Sequence, residues 1–182
     1  MSDFIPGWRR GDEAARAELT PMLRRQLSHQ VRRFTGSALD RDELADVIEE
    51  TLLTLANSSG GTWPHRSHLM AEAAPIFRRI LLRQIRARGG GMPYSGEMLE
   101  ERGGGVDLLQ LDDALVQLAG HDPDQARIAE LRLFGGLSIE EVAAVRATSP
   151  ESVRREWGFA RAWLFRHLTR ETPRRASGRV IR

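Results

Sequence analysis

The sequence predicts an all-α protein with two small helical domains joined by a glycine-rich linker. Apolar residues recur at spacings of three and four in both halves of the chain, which is the period of an amphipathic helix. No segment shows the apolar–polar alternation of a half-buried strand. Residues 89–105 hold seven glycines in 17 positions and predict a flexible linker. The predicted domains are therefore 1–88 and 106–172, followed by a disordered basic tail, 173–182.

Three helices are predicted in the first domain. The first begins near Asp12, and Pro21 is expected to kink or divide it. The second opens at Asp40, where Glu43 completes a capping box. The third occupies residues 66–88. The positions predicted to face the core are Ala14, Leu19, Leu23, Leu27, Val31, Leu44, Val47, Ile48, Thr51, Leu52, Leu55, Leu69, Ala73, Ile76, Phe77, Ile80, Leu81 and Ile85.

In the second domain, one helix is predicted from Val106 to Leu118. Asp122 caps another that runs to about Phe134 and ends at Gly135-Gly136. The remaining residues, 138–168, have the layout of a helix-turn-helix.

The predicted helix-turn-helix begins with a capping box formed by Ser138 and Glu141. A turn at 147–149 follows, and Ser149 caps a second helix that has Pro150 at its first position. An apolar stripe faces inward from the second helix, at Val153, Trp157, Ala160, Leu164 and Leu168. The opposite face begins with Glu151, Ser152, Arg154 and Arg155, at the turns that contact base edges in such motifs. The alternative is a well-capped surface helix with solvated charges.

Composition restricts the class of protein. All 27 basic residues are arginine, so every cationic contact is a planar fork suited to phosphate or guanine. The net charge is only +2, but six arginines and one acid lie between residues 65 and 91. Eight acids and two arginines lie between residues 107 and 141. A near-neutral total therefore combines basic and acidic surfaces.

The sequence contains no pattern typical of an enzyme. It has no cysteine, which excludes disulfides and thiolate metal sites. His65 and His68 lie three apart without an evident third metal ligand, and neither a phosphate loop nor a nucleophile motif is present. We expect neither catalysis nor a cofactor. No apolar run is long enough to cross a bilayer and no signal peptide is evident, so a soluble cytoplasmic protein is expected.

Several segments resemble an extracytoplasmic-function (ECF) sigma factor of bacterial RNA polymerase. Residues 49–55 (EETLLTL) match the family's Q-E-T-F-L segment, and residues 76–89 (IFRRILLRQIRARG) resemble a basic run of one branch. Residues 130–143 and 149–168 resemble the second domain of that branch. The likeness extends over about residues 5–170, in the expected order, with a glycine-rich linker between.

The resemblance implies three contact surfaces and two principal partners, core RNA polymerase and promoter DNA. An anti-sigma or other regulatory protein is a further partner typical of the family. The acidic helix would dock on the polymerase clamp through Glu43, Asp46, Glu49 and Glu50. The −10 element would be contacted by Trp63, His65, Arg66, Arg79, Arg83 and Arg86, with Trp63 equally suited to packing. The −35 element would be contacted by Ser149, Glu151, Ser152, Arg154, Arg155 and Arg161.

One departure from the family lies in the turn of the helix-turn-helix. Residues 146–148 (RAT) stand where family members usually have an L-G-V-like turn, whose glycine takes a positive φ. Either the turn is reshaped or this domain is under weaker constraint. Two alternatives therefore remain: a stand-alone helix-turn-helix regulator, and a degenerate sigma-like adaptor that no longer recognises promoters.

Overall fold

The computed structural model describes residues 13–35, 39–58, 63–94 and 106–171. Within these ranges the chain forms seven helices and one two-stranded antiparallel ladder. The predicted all-α class is confirmed. The helices are α1 (Glu13–Thr35), α2 (Arg41–Ser58), α3 (Arg66–Ala87), α4 (Leu108–His121), α5 (Pro123–Leu133), α6 (Ile139–Val145) and α7 (Pro150–Glu171).

Residues 13–94, which we call the first half, contain α1, α2 and α3. The predicted capping box of α2 is present: the N–H groups of Asp42 and Glu43 donate to Asp40 Oδ1, and the Asp40 N–H donates to Glu43 Oε2 at 3.0 Å. Neither proline interrupts its helix, since α1 runs through Pro21 and α3 through Pro75. Pro21 is exposed, so water can bond the carbonyl that the missing N–H leaves unpaired.

Nearly all the predicted core positions of the first half are buried. The buried members are Leu19, Leu23, Leu27, Val31, Val47, Ile48, Thr51, Leu52, Leu55, Leu69, Ala73, Phe77, Ile80, Leu81 and Ile85. Leu44 and Ile76 are partly buried against this cluster, and the side chain of Ala14 lies outside the described residues. The helical period of the sequence therefore identified the inward faces correctly.

Residues 106–171, the second half, contain α4 to α7. Side-chain caps begin all four of these helices, as short polar side chains do when they accept the free N–H groups of a first turn. Asp107 accepts from the Leu109 N–H at 2.8 Å, and Asp122 accepts from the Gln125 N–H at 2.9 Å. The predicted box between Ser138 and Glu141 is present in both directions.

The predicted linker differs from the structure at its first six residues. Gly89, Gly90 and Gly91 have φ angles of 93°, 76° and 81°, and the Gly90 N–H donates to the Ile85 carbonyl at 3.0 Å. Strand β1 (Pro93–Tyr94) then pairs antiparallel with β2 (Val106–Asp107). These glycines form a left-handed turn that ends α3, so residues 89–94 are not a flexible linker. Residues 95–105 and the tail 173–182 lie outside the described residues.

The two halves pack against each other through a shared apolar cluster. Phe77 of α3 meets Phe134 edge to face, with ring centroids 6.5 Å apart. Arg127 of α5 donates to the backbone carbonyl of Ala71 at 2.9 Å. The structure therefore does not show two separate domains, and the division at residues 88 and 106 stays a prediction.

Gly136, in the loop between α5 and α6, lies where the second half meets α1. Its φ is +64°, and a Cβ there would lie 1.6 Å from Gln30 Nε2. Gln30 is only 1% exposed, so its amide cannot move away easily. The sequence predicted only a helix end at this glycine. In the structure, the position must also lack a side chain, because a Cβ would clash with Gln30.

Gly136→Ala is expected to destabilise the protein by about 2–4 kcal/mol, because it adds left-handed strain to overpacking. Equilibrium urea unfolding followed by circular dichroism measures the change. Gly158→Ala in α7 is the matched control, since nothing lies within 4 Å of its Cβ position. That variant should gain about 1 kcal/mol from helix propensity. Equal unfolding midpoints for the two variants would contradict this account of Gly136.

Candidate nucleic-acid interface

Helix α7 begins immediately after the turn that follows α6. The Ser149 hydroxyl oxygen accepts a hydrogen bond from the Ser152 N–H at 3.2 Å, and the two hydroxyl oxygens lie 3.1 Å apart. Pro150 occupies the first helical position, where its missing N–H costs nothing. The local sequence therefore determines where α7 starts, and with it which residues occupy its first two turns.

The turn between α6 and α7 keeps a left-handed residue although it has no glycine. Ala147 has a φ of 50°, the only positive φ of a non-glycine among the described residues. The Thr148 N–H donates to the Ala143 carbonyl at 3.0 Å and closes the turn. Alanine in this conformation costs about 1–2 kcal/mol, which the packing of α6 against α7 must offset. Ala147 therefore takes the positive φ that a glycine usually takes in the turns of the family that this sequence resembles.

The side chains predicted to contact DNA on α7 are mostly exposed. Arg154 and Arg155 have side-chain exposures of 60% and 64%, and Glu151 and Arg161 are exposed as well. Ser152 is half-buried. The opposite side of the helix is buried at Val153, Ala160, Leu164 and Leu168. Packing thus orients α7 so that its first turns carry arginine on the outside.

A carboxylate of α6 lies beside one of these arginines. Arg154 Nη2 is 3.7 Å from Glu140 Oε1, and both side chains are more than half exposed. Hydrogen bonds from the backbone and from the Ser138 side chain, with the charge of Arg154, hold the pKa of Glu140 below its usual value. Glu140 therefore stays ionised at neutral pH, and this exposed, solvent-screened pair leaves Arg154 available to a phosphate or base.

Arginines of α3 form a second exposed basic face. Arg79, Arg83 and Arg86 are exposed and occur at i, i+4 and i+7, as predicted. Arg83 pairs with Glu50 of α2, and Arg86 pairs with Asp112 of α4 at 2.9 Å. Two of the three arginines predicted to contact phosphates therefore form ion pairs with carboxylates of the protein itself.

The predicted −10 residues at the start of α3 and in the loop before it are only partly accessible to a nucleic acid. Trp63 is 2% exposed, and this burial favours packing over stacking on a base. Its indole Nε1 has no hydrogen-bond partner among the described residues. His65 is exposed, and its ring lies 5.9 Å from that of His68. Arg66 donates to Gln26 at 3.4 Å and to Glu141 of α6 at 3.1 Å.

The four acids of α2 that the resemblance assigns to the polymerase differ in their surroundings. Glu43 accepts from Arg88 at 3.0 Å as well as capping α2, and Glu49 pairs with Arg24 at 2.8 Å. Glu50 pairs with Arg83. Asp46 is exposed, and no ion pair within the described ranges includes it. Asp46 is therefore the carboxylate of this face most open to a partner.

Sequence reasoning missed two features of these surfaces. Leu53 of α2 is 50% exposed and lies four residues after Glu49, so an apolar side chain accompanies the acids. Its position off the apolar stripe of α2 was the signal available in the sequence. Arg78 is the other omission: it lies beside Arg79 in the sequence but is directed toward α4 and α5, which only the packing reveals.

An all-α chain that presents arginines on an outward helix behind a capped turn has an arrangement that helical DNA-binding proteins use. A comparison with family models gave a match to the model described as "ECF sigma factor" over residues 1–170. Because the match includes almost the whole chain, the protein belongs to the ECF sigma factor family. This is a family of non-enzymatic transcription factors that act in transcription initiation. A comparison with curated proteins gave no match.

Two further observations concern the described residues alone. No three histidine or carboxylate side chains in ranges 13–35, 39–58, 63–94 and 106–171 cluster in a way that could hold a metal ion. In the same ranges, no helix combines the length and the apolar character needed to span a membrane.

Proposed function

We propose that this protein binds core RNA polymerase and directs it to promoters by contacting the −35 and −10 elements. The observation that carries the proposal is the outward arginine face at the start of α7, in a chain that belongs to the ECF sigma factor family. Such a protein supplies binding energy and positioning rather than catalysis. Its specificity comes from the side chains that reach base edges.

The −35 contact is assigned to the first turns of α7. Arg154 and Arg155 are the candidates for guanine or phosphate, because a guanidinium can donate two parallel hydrogen bonds. Glu151 can accept from a cytosine amine. Ser149 and Ser152 already bond each other at the helix start and lie nearest a phosphate approaching the capped end, with Arg161 further along the helix.

The −10 contact is assigned to α3 and the residue before it. Arg79, Arg83 and Arg86 suit phosphates, which accept the forked hydrogen bonds of arginine. His65 and Arg66, at the start of α3, suit an unstacked base. Trp63 is left out of the contact because it is buried.

The polymerase contact is assigned to the exposed face of α2. Asp46, Glu49 and Leu53 follow each other at spacings of three and four and therefore share one side of the helix. An apolar side chain at 50% exposure beside carboxylates suits a partner that presents a small apolar site within a basic surface. Glu43 contributes less directly, since it caps α2 and bonds Arg88.

Reconstituted transcription tests the proposal. Purified protein is mixed with core RNA polymerase and genomic fragments, and the start sites of the transcripts are mapped. We expect discrete start sites that depend on the protein. Specific binding to duplex DNA without any effect on polymerase would favour a stand-alone regulator. Polymerase binding without specific transcripts would favour an adaptor.

A further inference from the structure

Helix α7 carries one large apolar side chain on its outward side. Phe159 is 57% exposed, whereas Val153, Ala160 and Leu164 on the other side of the helix are fully buried. The phenylalanine ring therefore has little part in holding α7 against the rest of the protein. Single exposed apolar side chains are common on protein surfaces, so the neighbours of Phe159 decide what ligand could cover it.

Phe159 lies on the same face of α7 as two residues assigned to the −35 element. Ser152, Arg155 and Phe159 follow each other at spacings of three and four, which places them in one row along the helix. From the rise of an α-helix the row is about 10 Å long, and three base pairs of B-form DNA occupy about the same length. A recognition helix can contact bases from positions seven residues apart on one face. The row can therefore reach three successive base pairs, with Phe159 at its far end.

The chemistry of the ring selects one base. All four bases present hydrogen-bonding groups in the major groove, and thymine adds an apolar C5-methyl group. A phenylalanine ring cannot hydrogen-bond to a base edge as a donor fork does, but it packs against that methyl group and excludes water from it. Arg155, one turn before Phe159, suits a guanine or a phosphate. The two side chains are therefore suited to different base pairs of one element.

The surface beside the ring is open to DNA. Gly158 is exposed, and among the described residues nothing lies within 4 Å of its Cβ position. A glycine inside a helix lowers helix stability relative to alanine, and no packing contact requires one here. Its missing side chain leaves room for a groove wall next to Phe159. Arg155 Nη2 lies 3.6 Å from Glu156 Oε1, and solvent screens such an exposed pair, so the arginine stays available.

A protein partner suits this surface less well than a base pair does. Among the described residues of the second half, the exposed large apolar side chains are Phe159 and Val116, which lie on different helices. Stable protein interfaces bury about 800 Å² on each partner and have several apolar residues at their centre. One aromatic ring that follows an arginine on a DNA-facing row matches the edge of a base pair instead.

We propose that Phe159 packs against the C5-methyl group of a thymine in the −35 element and makes the protein prefer thymine at that position. The inference rests on the function proposed above, because it adds a specificity-determining residue to the same surface of α7. The ring acts by excluding water from the methyl group rather than by hydrogen bonding. The base preferences due to Arg155 and to Phe159 are then separate, and each can be removed without the other.

A binding profile over the −35 element tests the position of the contact. The protein with core polymerase is equilibrated with a mapped promoter whose −35 element is randomised, and the bound fragments are sequenced. We expect the parent to prefer thymine at one position by about fourfold, the change that one buried methyl group produces. Phe159→Ala should lose that preference, and Arg155→Ala should lose a preference about two base pairs away. Val116→Ala truncates an equally exposed side chain of α4 and should keep both.

Removal of the methyl group alone tests the chemistry of the contact. Deoxyuridine pairs as thymidine does but lacks the C5-methyl group. At the preferred position it should weaken binding of the parent about fourfold and leave binding of Phe159→Ala unchanged, because the two changes remove the same contact. Phe159→Leu keeps an apolar side chain and should keep part of the sensitivity to deoxyuridine. No loss for the parent, or an equal loss for Phe159→Ala, would overturn the proposal.

The proposed function and this inference fail in different ways. If the parent directs no start sites with core polymerase, the proposed function ends. The profile is then measured with the protein alone on random duplexes, where a thymine preference that depends on Phe159 supports the inference and its absence overturns it. Normal transcription with identical profiles for the parent and Phe159→Ala ends the inference alone. Weaker binding of Phe159→Ala to core polymerase, with an unchanged thymine preference, would refute the inference and assign the ring to a protein contact.

Discussion

Replacing Arg154 and Arg155 together by alanine is expected to lower promoter-specific transcription by about 100-fold. Each arginine contact with a base is worth about 1–3 kcal/mol, so the loss of two leaves little discrimination between promoter and other DNA. Run-off transcription with core polymerase measures the effect. Because both side chains are at least 60% exposed, the unfolding free energy should stay within about 0.5 kcal/mol of the parent value.

The control for this variant removes the same charge elsewhere. Arg166→Ala, further along α7, with Arg32→Ala at the end of α1 involves two exposed arginines that are not assigned to DNA. Its transcription should stay close to the parent level, and both variants should bind core polymerase normally. Normal run-off transcription from the Arg154→Ala, Arg155→Ala variant would refute the −35 assignment.

The second large effect is expected from Asp46→Arg. Asp46 is the exposed carboxylate of α2 beside Glu49 and Leu53, so charge reversal there places a cation against a basic partner. We expect core polymerase to bind at least tenfold more weakly, as measured by titration of labelled protein. The fold should be unaffected, since surface substitutions change stability little.

Asp113→Arg is the matched control, because it reverses an exposed aspartate on α4, outside the proposed docking face. This variant should retain the parent affinity for core polymerase. Equal affinities of the Asp46→Arg and Asp113→Arg proteins would remove α2 from the polymerase contact. The affinities of these two variants, together with the transcription levels of the α7 variants, distinguish loss of DNA recognition from loss of polymerase binding.

Local patterns predicted most of the helical structure. The boxes at Asp40–Glu43 and Ser138–Glu141 are present because both partners lie within one turn, where short-range geometry decides. The apolar stripes of α1, α2 and α7 are buried, as predicted. They could be predicted because the helical period alone shows which residues share a face, without knowledge of the surface they pack against. The positive φ at Ala147 was not predicted, because the sequence left open whether a turn without glycine is reshaped.

The first glycines of the predicted linker show what local reasoning missed. Three consecutive glycines were interpreted as flexibility, but Gly89, Gly90 and Gly91 supply the positive φ angles that end α3. Composition cannot distinguish a glycine that permits motion from one that permits a special conformation. The pairing of β1 with β2 was equally hidden, because two-residue strands have no period to detect.

The sequence by itself determined the helical class, the helix starts, the inward faces and the two charged surfaces, because each depends on neighbours within about a turn. Only the tertiary structure decided which arginines meet which carboxylates. Arg78, Arg79 and Arg86 are chemically alike in the sequence, yet Arg78 is 17% exposed between Asp112 and Glu130, while Arg79 remains exposed. The physical reason is that ion pairing between distant segments depends on how the helices pack, and that packing is set by the buried contacts of the whole chain.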